Sequence, residues 1–296
     1  MIMAYIDKLQ IGDKTFDILA SNVSENAIDN ETIKKRSDGK LYAEVGDTNK
    51  YSFLKGKKVC FFGDSITAEN MYPDAFCALT GAIPYYRGQS GSDICGTSPQ
   101  SICARMQFTR RNDNTYPGTG GLPSDADLII VYGGINDWGH GMTFGSLEEA
   151  IPTESIEITW EGTKELPTTF CGGCKMLFKY LRESFPTTPI IALSLHHVYS
   201  ASFPNWNDMS SWDATTGAYT YRVKNGKTIL DYKTAYEKAA SLFGVPVIDL
   251  HNIGITPYDA GQLAEYYRDG LHFNKKGYTK MAHFVADQIC TLLHEL

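Results

Sequence analysis

Short apolar runs alternate with amphipathic segments over most of the chain, and this pattern predicts an α/β fold. Four runs are wholly or mainly apolar, as buried parallel strands are: residues 59–62, 128–132, 190–195 and 245–250. A fifth candidate, residues 83–86, contains Pro84, which favours a place at the edge of the sheet.

Segments with helical spacing follow these runs. Residues 174–181 carry apolar side chains three and four apart and end before Pro186, and residues 232–243 precede Gly244, a typical helix C-cap. A last amphipathic segment begins at Lys276. Strands that alternate with helices predict a parallel sheet covered by helices on both faces, with ligands bound at the carboxyl ends of the strands.

Residues 1–56 follow a different pattern, and we expect them to form an N-terminal extension to a domain at 57–296. They are polar, with short alternating pieces at 5–9 and 15–18 and a charged stretch at 25–36 that is compatible with a helix capped by Ser24 or Asn30. So little apolar surface hardly forms a core alone. We therefore expect docking on the neighbouring domain or on another chain, as a homo-oligomer contact.

Two long stretches interrupt the alternation. Residues 139–167 include a strand-like piece at 157–160, which we interpret as one arm of a hairpin, and residues 198–227 are rich in aromatic side chains. Loops of this length in a compact domain are usually functional or locally folded. The aromatic residues of the second stretch suit either stacking on sugar rings or packing within the loop.

Composition narrows the class of protein. The chain is 43% hydrophobic and 21% charged, with a formal net charge of −7, and this acidic balance argues against nucleic-acid binding. No apolar run approaches the ~20 residues that span a bilayer, so no membrane partner is expected. Charge occurs too early in the N-terminus for a secretory signal peptide, which predicts synthesis in the cytoplasm.

The number and spacing of the cysteines also fit synthesis in the cytoplasm. The seven cysteines are an odd number and are mostly without paired spacing, as expected for reduced thiols. One CxxC, from Cys171 to Cys174, has no second pair for zinc; packing at the start of a helix is the preferred interpretation and a redox role the alternative.

Three short motifs carry the candidate chemistry: Gly-Asp-Ser ending at Ser65, Gly-Ile-Asn-Asp containing Asn136, and Asp-Gly-Leu-His from Asp269 to His272. Each lies next to a predicted strand end or helix start. Together they supply a serine nucleophile, an amide donor, an orienting carboxylate and a general base. The glycine-rich loop at 86–91 adds a backbone N–H donor, from Gly91 or Gly88.

Each motif also has a structural interpretation. Ser65 or its neighbour Asp64 suits a helix cap, and the histidine motif suits a polar loop before the last helix, with Asn274 as the cap. A phosphate-binding interpretation of the glycine loop is disfavoured, because the glycine spacing is wrong and no Walker lysine follows. Four of the remaining histidines have no comparably placed partner in the sequence: His140, His196, His197 and His251. The other two, His283 and His294, lie in the last predicted helix, where we expect surface or packing roles.

Taken in order, the motifs resemble the SGNH (GDSL-type) hydrolase superfamily over residues 57–296. The resemblance matches Ser65, Gly91 and Asn136 to the serine, glycine and asparagine blocks, whose donors form the oxyanion hole together with the Ser65 N–H, and Asp269 and His272 to the last block. It implies a flavodoxin-like three-layer α/β/α sandwich with a five-stranded, mainly parallel sheet. It also implies a serine esterase, lipase or carbohydrate deacetylase that needs no metal or cofactor.

Two positions depart from the family pattern. Ile66 replaces the usual leucine after the serine, which is conservative, and Tyr86 occupies the place of an asparagine that commonly opens the glycine block. A short stretch at 11–18 is similar to leader segments of phage and prophage tail-associated proteins. This similarity implies attachment to a virion through residues 1–56.

The substrate expected from these residues is a short acyl ester, with O-acetyl groups on a small molecule or glycan preferred. Candidate substrate contacts are Asp64, Trp138, Trp206 and Trp212. A lipid or thioester acylhydrolase is the enzymatic alternative. A phage-tail or surface glycan-binding module with little turnover is the alternative from another class, although a pure binder has no need of a serine, an aspartate and a histidine together.

Overall fold

The computed structural model describes most of the chain after residue 49 and, before it, only the backbone of five short strands. The described ranges after residue 49 are 50–110, 121–152, 165–200, 202–213, 215 and 218–294, with side chains at all of these except 108–110, 205, 210–213, 218–219 and 294. The chain divides into two compact units, Met1–Ser52 and Phe53–Leu296. The predicted hairpin arm at 157–160 lies outside the described residues.

The first unit contains short antiparallel strands: β1 (Met3–Tyr5), β2 (Lys8–Ile11), β3 (Lys14–Asp17), β4 (Ile33–Lys35) and β5 (Leu41–Glu44). Strands β1, β5 and β4 form one sheet in that order, and β2 pairs with β3. The helix expected at 25–36 is wrong at 33–35, because these residues form β4, which pairs with β5. Two of the three residues of β4 are lysines, so the pattern of apolar and polar positions did not predict a strand there. The docking role of this unit stays a prediction.

The second unit is built on a five-stranded parallel sheet. Its strands are β6 (Lys58–Gly63), β7 (Ile83–Gly88), β8 (Leu128–Tyr132), β9 (Ile190–Leu193) and β12 (Val247–Ile248). They are arranged β12-β9-β8-β6-β7, which is the flavodoxin-like order. The predicted run at 245–250 is shortened to two strand residues, because Leu250 begins a 3₁₀ helix, Leu250–Ile253.

Helices cover both faces of this sheet and complete the predicted three-layer sandwich. They are α1 (Ser65–Ala68), α2 (Met71–Thr80), α3 (Ile102–Arg110), α4 (Ile135–His140), α5 (Phe170–Ser184), α6 (Ile229–Leu242), α7 (Ala260–Tyr266) and α8 (Lys275–His294). Helix α2 packs against α8, whereas α5 packs against both α3 and α6. Among the described residues, no helix is long and apolar enough to cross a bilayer.

The apolar runs are buried as the pattern predicted. Strands β6 and β8 lie in the middle of the sheet, and their side chains from Val59 to Phe62 and from Leu128 to Tyr132 are almost fully buried. Strand β7 lies at the edge, as Pro84 indicated, with Ile83 exposed. All seven cysteines are free thiols, and Cys171 and Cys174 are buried at the start of α5, so the packing interpretation of the CxxC fits their position.

The long stretch at 198–227 has local structure of its own. It contains a 3₁₀ helix, Pro204–Trp206, followed by an antiparallel hairpin of β10 (Met209–Asp213) and β11 (Ala218–Tyr221). The hairpin forms a separate two-stranded sheet, so the insertion adds no strand to the central sheet.

Candidate active site

The order of the strands brings the first two motifs together. Strand β6 leads into Ser65 and its neighbour β8 leads into Asn136, so both motifs follow the carboxyl ends of adjacent strands. The next two strands of the sheet along the chain, β7 and β8, lie on opposite sides of β6. Ligands in open α/β folds usually bind at such a point, where the strand order reverses. Ser65 itself is the first residue of α1 and is partly exposed.

The third motif is a compact turn that fixes a histidine ring. Asp269 Oδ1 accepts hydrogen bonds from the backbone amides of Leu271 and His272, at 3.0 and 2.7 Å. The other carboxylate oxygen, Oδ2, lies 2.9 Å from His272 Nδ1. The spacing of three residues therefore lets one carboxylate hold both the backbone and the ring.

Gly270 makes this turn possible. It has a φ of +79°, and a Cβ at this position would lie 2.1 Å from the carbonyl oxygen of Tyr199. A hydrogen bond holds the two backbones this close, because the Tyr199 amide donates to the Gly270 carbonyl at 3.0 Å. Only glycine fits both the left-handed backbone and the space.

Serine, histidine and aspartate form one hydrogen-bonded line. His272 Nε2 lies 3.1 Å from Ser65 Oγ, while Nδ1 faces Asp269. The His272 side chain is 13% exposed and that of Asp269 21%, so both are largely shielded from solvent. A carboxylate on Nδ1 holds Nε2 as the proton acceptor for the hydroxyl.

The environment keeps Asp269 ionised. Burial alone would raise the pKa of this carboxyl, but hydrogen bonds from the His272 amide, the His272 ring and the Leu271 amide outweigh it, and the pKa falls below its usual range. An ionised Asp269 is what a histidine base requires from its partner.

Asn136 sits beside this line with its amide engaged. Its Nδ2 donates to Asp64 Oδ2 at 3.2 Å and to the Ser92 carbonyl at 3.0 Å. Both amide hydrogens therefore have acceptors in this structure, so donation to an oxyanion requires that one of these bonds open. The two bonds also fix the loop that carries Gly91 relative to the serine turn.

The two glycines of that loop differ in their surroundings. Gly91 is exposed, with a φ of +72°, in a turn closed by a 3.3 Å bond from the Ser92 amide to the Gln89 carbonyl. Gly88 instead packs on α1, where a Cβ would lie 2.3 Å from the Ala68 nitrogen. Gly88 is thus explained by packing, which leaves Gly91 as the loop glycine with an exposed position.

Two of the predicted substrate contacts are wrong. The side chain of Asp64 is fully buried; it caps α1 through a 3.0 Å bond from the Ile66 amide, and burial raises its pKa well above the usual range. Trp138 is fully buried too, with its ring edge-on to Tyr232. Neither side chain has surface to offer a substrate.

The other two tryptophans lie in the 198–227 insertion. Trp206 is partly exposed and packs edge-on against His140, with ring centroids 5.1 Å apart. His140 in turn lies 2.8 Å from Asp93, two residues after Gly91. The role of Trp206 as a substrate contact thus stays a prediction. The ring of Trp212 lies outside the described side chains.

Sequence reasoning missed a histidine that bonds the turn of Asp269 and His272. His196 Nε2 lies 2.8 Å from the Leu271 carbonyl, and His196 Nδ1 lies 2.7 Å from the Tyr132 hydroxyl. Burial lowers its pKa to about 4, so the ring is neutral and donates from Nε2 while the tyrosine donates to Nδ1. No local motif marks this residue, since its partners are 64 and 75 positions away.

Two arginines join the motifs and were also missed. Arg105 is fully buried and donates to the carbonyls of Gly63 and Arg87, each at 2.7 Å, so it links the ends of β6 and β7. Arg268 forms a 2.7 Å ion pair with Glu69, just after α1. This pair connects the serine segment to the histidine turn.

One further group of side chains has the chemistry of a metal site. His197, Asp208 and His251 each offer a ligand atom, and these atoms all lie within 4.8 Å of one another. No hydrogen bond joins any of them to Ser65 or His272 among the described contacts. The group is separate from the serine–histidine–aspartate line.

Comparison with known proteins identifies the family and the fold of this chain. The chain matches the GDSL-like lipase/acylhydrolase family over residues 61–280. It is similar to the crystal structure of a protein from Lactobacillus plantarum, with 26% identity, a TM-score of 0.61, and 80% of this chain and 98% of that one covered. A possible lipase from Chitinophaga pinensis has the same fold, with 18% identity, a TM-score of 0.51, and 79% and 98% covered.

No curated protein matches the chain significantly. The family match nevertheless covers about three quarters of the sequence and includes the segments of Ser65, Asn136, Asp269 and His272. The chain belongs to the GDSL-like lipase/acylhydrolase family.

Proposed function

We propose that this protein is a carboxylic ester hydrolase in which Ser65 is the nucleophile, His272 the general base and Asp269 its orienting partner. The observation that carries the proposal is the continuous line of hydrogen bonds from Asp269 through the His272 ring to Ser65 Oγ, with distances of 2.9 and 3.1 Å. Ser65 is 207 positions from His272 in the chain, and a purely structural role does not require it to align with the pair of Asp269 and His272.

The reaction proceeds in two steps. His272 Nε2 takes the proton of the Ser65 hydroxyl as its oxygen attacks the ester carbonyl, and the resulting imidazolium is stabilised by Asp269. Collapse of the tetrahedral intermediate expels the alcohol, which receives the proton from His272. A water molecule then attacks the acyl-enzyme in the same way and releases the acid.

The oxyanion of each intermediate needs donors on the side of the loops after β6 and β8. We assign this role to the backbone amides of Ser65 and Gly91 and to the side-chain amide of Asn136. Asn136 can donate if its bond to the Ser92 carbonyl or to Asp64 opens when the substrate binds. Such a donor is stronger at the transition state than in the free enzyme, which raises kcat.

The preferred substrates are short acyl esters, in particular O-acetyl groups on carbohydrate. Tyr199 and Phe203 are 36% and 39% exposed. Their segment is bonded to the catalytic turn, since the Tyr199 amide donates to Gly270 and the Ser200 hydroxyl to the Asp269 carbonyl. Exposed aromatic rings beside a polar catalytic turn suit the apolar faces of sugar rings.

The test is a panel of substrates on the full chain, with Ser65→Ala as the blank. We expect p-nitrophenyl acetate to be hydrolysed faster than the butyrate, octanoate and palmitate esters, and acetate to be released from acetylated xylo- and gluco-oligosaccharides. Ser65→Ala should lower the rate by about 10⁶-fold.

The outcomes separate the alternatives. A rate that increases with acyl chain length supports a lipid acylhydrolase instead of a carbohydrate deacetylase. Wild-type rates in Ser65→Ala, with a circular dichroism spectrum that shows an intact fold, contradict the serine mechanism. Binding of acetylated glycan without release of acetate supports the glycan-binding module.

A further inference from the structure

The group formed by His197, Asp208 and His251 brings together three distant parts of the second unit. His197 follows β9, Asp208 precedes the hairpin of the insertion, and His251 lies in the 3₁₀ helix after β12. Because β9 and β12 are adjacent parallel strands, both histidines reach the same edge of the sheet. The ligand atoms of all three residues lie within 4.8 Å of one another.

The arrangement of the three side chains is compact. His197 Nδ1 lies 3.1 Å from Asp208 Oδ2. The two imidazole rings are stacked, with centroids 3.9 Å apart and planes inclined by 18°. Zinc ligands at ~2.0–2.1 Å from the ion in a tetrahedral site are about 3.4 Å from one another. The ligand atoms are thus within reach of a single ion, although as a set they are farther apart than in an occupied site. Because imidazole lone pairs lie in the ring plane, one of the two stacked rings has to rotate about its side-chain bonds before both face the ion.

The group is largely withdrawn from solvent. The Asp208 side chain has no exposed surface and that of His197 is 16% exposed. His251 Nε2 is buried and has no hydrogen-bond partner among the described residues. A buried ring nitrogen without a partner is rare in a folded protein and calls for a ligand or another explanation.

The Asp208 carboxylate accepts further hydrogen bonds from outside the group, as metal-ligating carboxylates do. The Tyr258 hydroxyl donates to Asp208 Oδ1, and the Val198 amide donates to Oδ2 at 3.3 Å. Such outer contacts orient a ligand without using the lone pair that faces the ion. The Tyr258 ring packs edge-on against His197, which restricts the imidazole as well.

We propose that His197, Asp208 and His251 bind one divalent transition-metal ion, with Zn²⁺ as the best fit. Two imidazole nitrogens and one carboxylate oxygen form a set that zinc accepts, with a fourth position left for a water molecule. Binding requires the His197 tautomer with its proton on Nε2, so that the Nδ1 lone pair replaces the present bond to Asp208.

The role of this ion is structural. The ion connects the insertion to the ends of β9 and β12. The Tyr267 hydroxyl donates to the His197 carbonyl at 3.0 Å and so links His197 to the segment that leads into the catalytic turn. The ion is no participant in ester hydrolysis, since the mechanism of Ser65 and His272 uses none of its ligands. The proposal is independent of the substrate of the enzyme.

The experiment uses the full chain, dialysed against EDTA and then against chelator-free buffer. Zn²⁺ is added, the excess is removed, and bound zinc per chain is measured by elemental analysis, with the melting temperature followed in parallel. We expect one zinc ion per chain and a rise of several degrees in the melting temperature at saturating metal. Co²⁺ in place of zinc should give the visible absorption of a low-coordinate site.

Variants locate the ion. His251→Gln should abolish stoichiometric zinc, while His283→Gln, which changes an exposed histidine on α8, should keep one ion per chain. Tyr258→Phe keeps the ring and removes the hydroxyl behind Asp208, and it should weaken zinc binding by roughly 10–100-fold. This milder variant preserves the test if His251→Gln fails to fold.

Three results would overturn the proposal. The first is an unchanged melting temperature with less than about a tenth of an ion per chain in the wild type, which would show a hydrogen-bonded network of Asp208, His197 and Tyr258 without metal. The second is zinc binding by His251→Gln, or, if that variant does not fold, by Tyr258→Phe, as tight as in the wild type. The third is an equal loss in His283→Gln, which would place the ion elsewhere.

Discussion

Two groups of histidine and aspartate side chains lie at the carboxyl edge of the same sheet, and they are built in opposite ways. In the first group, Asp269 and His272 are three residues apart in one turn, and the carboxylate bonds both the backbone and the ring. In the second group, His197, Asp208 and His251 come from three segments, and Asp208 is fully buried. One group faces a partly exposed serine; the other is enclosed.

The difference teaches which sites a single sequence reveals. A local turn leaves a short motif, so the spacing of Asp269 and His272 along the chain is enough to pair them. His197 and His251 have no partner within reach along the chain, and only the adjacency of β9 and β12 together with the fold of the insertion brings them together. Long-range clusters leave no comparable trace in one sequence.

Replacing the aspartate of each group with asparagine tests the difference between the two groups most directly. The first of these variants is Asp269→Asn. The amide keeps the shape of the carboxylate but cannot hold the charged imidazolium, and it favours the wrong tautomer of His272. We expect kcat for p-nitrophenyl acetate to fall by about 10⁴-fold, the scale for the orienting aspartate of a serine triad. Steady-state kinetics measures it.

Stability is the control for this variant. Its melting temperature should change little, because the turn is close to the surface and the amide oxygen still accepts from the backbone. A loss of less than about tenfold in kcat, with the fold intact, would show that Asp269 holds the turn but has no part in proton transfer.

Asn136→Ala should have the next largest effect, a fall in kcat of roughly 10²–10³-fold, the scale for one oxyanion donor. In the resting enzyme this amide bonds Asp64 and the Ser92 carbonyl, so the substitution also separates a catalytic from a positioning role. If kcat is unchanged and only KM rises, the amide serves to place the loop of Gly91 and does not donate to the oxyanion.

Asp208→Asn is the counterpart in the second group. Its carboxylate accepts bonds from Tyr258, His197 and the Val198 amide, and an amide group there turns its NH₂ towards one of these donors. We expect the metal-free protein to lose about 1–3 kcal/mol in the free energy of unfolding. Urea denaturation after EDTA treatment measures it. A larger loss of kcat than in Asp269→Asn would contradict the division between the two groups.

The smallest effect concerns a buried carboxyl next to Asn136. Burial and then the nearby Asp93 carboxylate raise the pKa of Asp137 to about 7, although the Ile94 and Cys95 amides oppose the shift. Between about pH 4 and 7 the folded state therefore holds a proton that the unfolded state has lost, so stability decreases as the pH rises through this window. The Asp93 bond also raises the pKa of His140, which acts in the same direction at higher pH.

Asp93→Asn removes the charge that contributes to both shifts. The decrease in unfolding free energy from about pH 5 to about pH 8 should then be smaller than in the wild type by roughly 1 kcal/mol or less. Urea titrations at the two pH values provide the comparison. A steeper decrease in the variant would show that Asp93 does not control Asp137.

The fold was largely predictable because buried parallel strands are long apolar runs. Strands β6 and β8 matched their runs, and Pro84 placed β7 at the edge. The failures have physical causes. Strand β4 is polar and stabilised by pairing with β5, and Trp138 is a core residue whose burial depends on α4 and α6. Likewise, Arg105 and His196 bond backbone carbonyls, which carry no sequence signal.

Pro84 has a consequence for association between chains. The amides of Ile83 and Gln89 donate inward to β6, so alternate residues of β7 face the sheet and the nitrogen of Pro84 faces the open edge. Where another residue would present an N–H to solvent, proline presents none. A strand from a second molecule would meet a gap in the donor row at this point. The longer of the two sheet edges thus has a break in its row of donors that opposes strand addition.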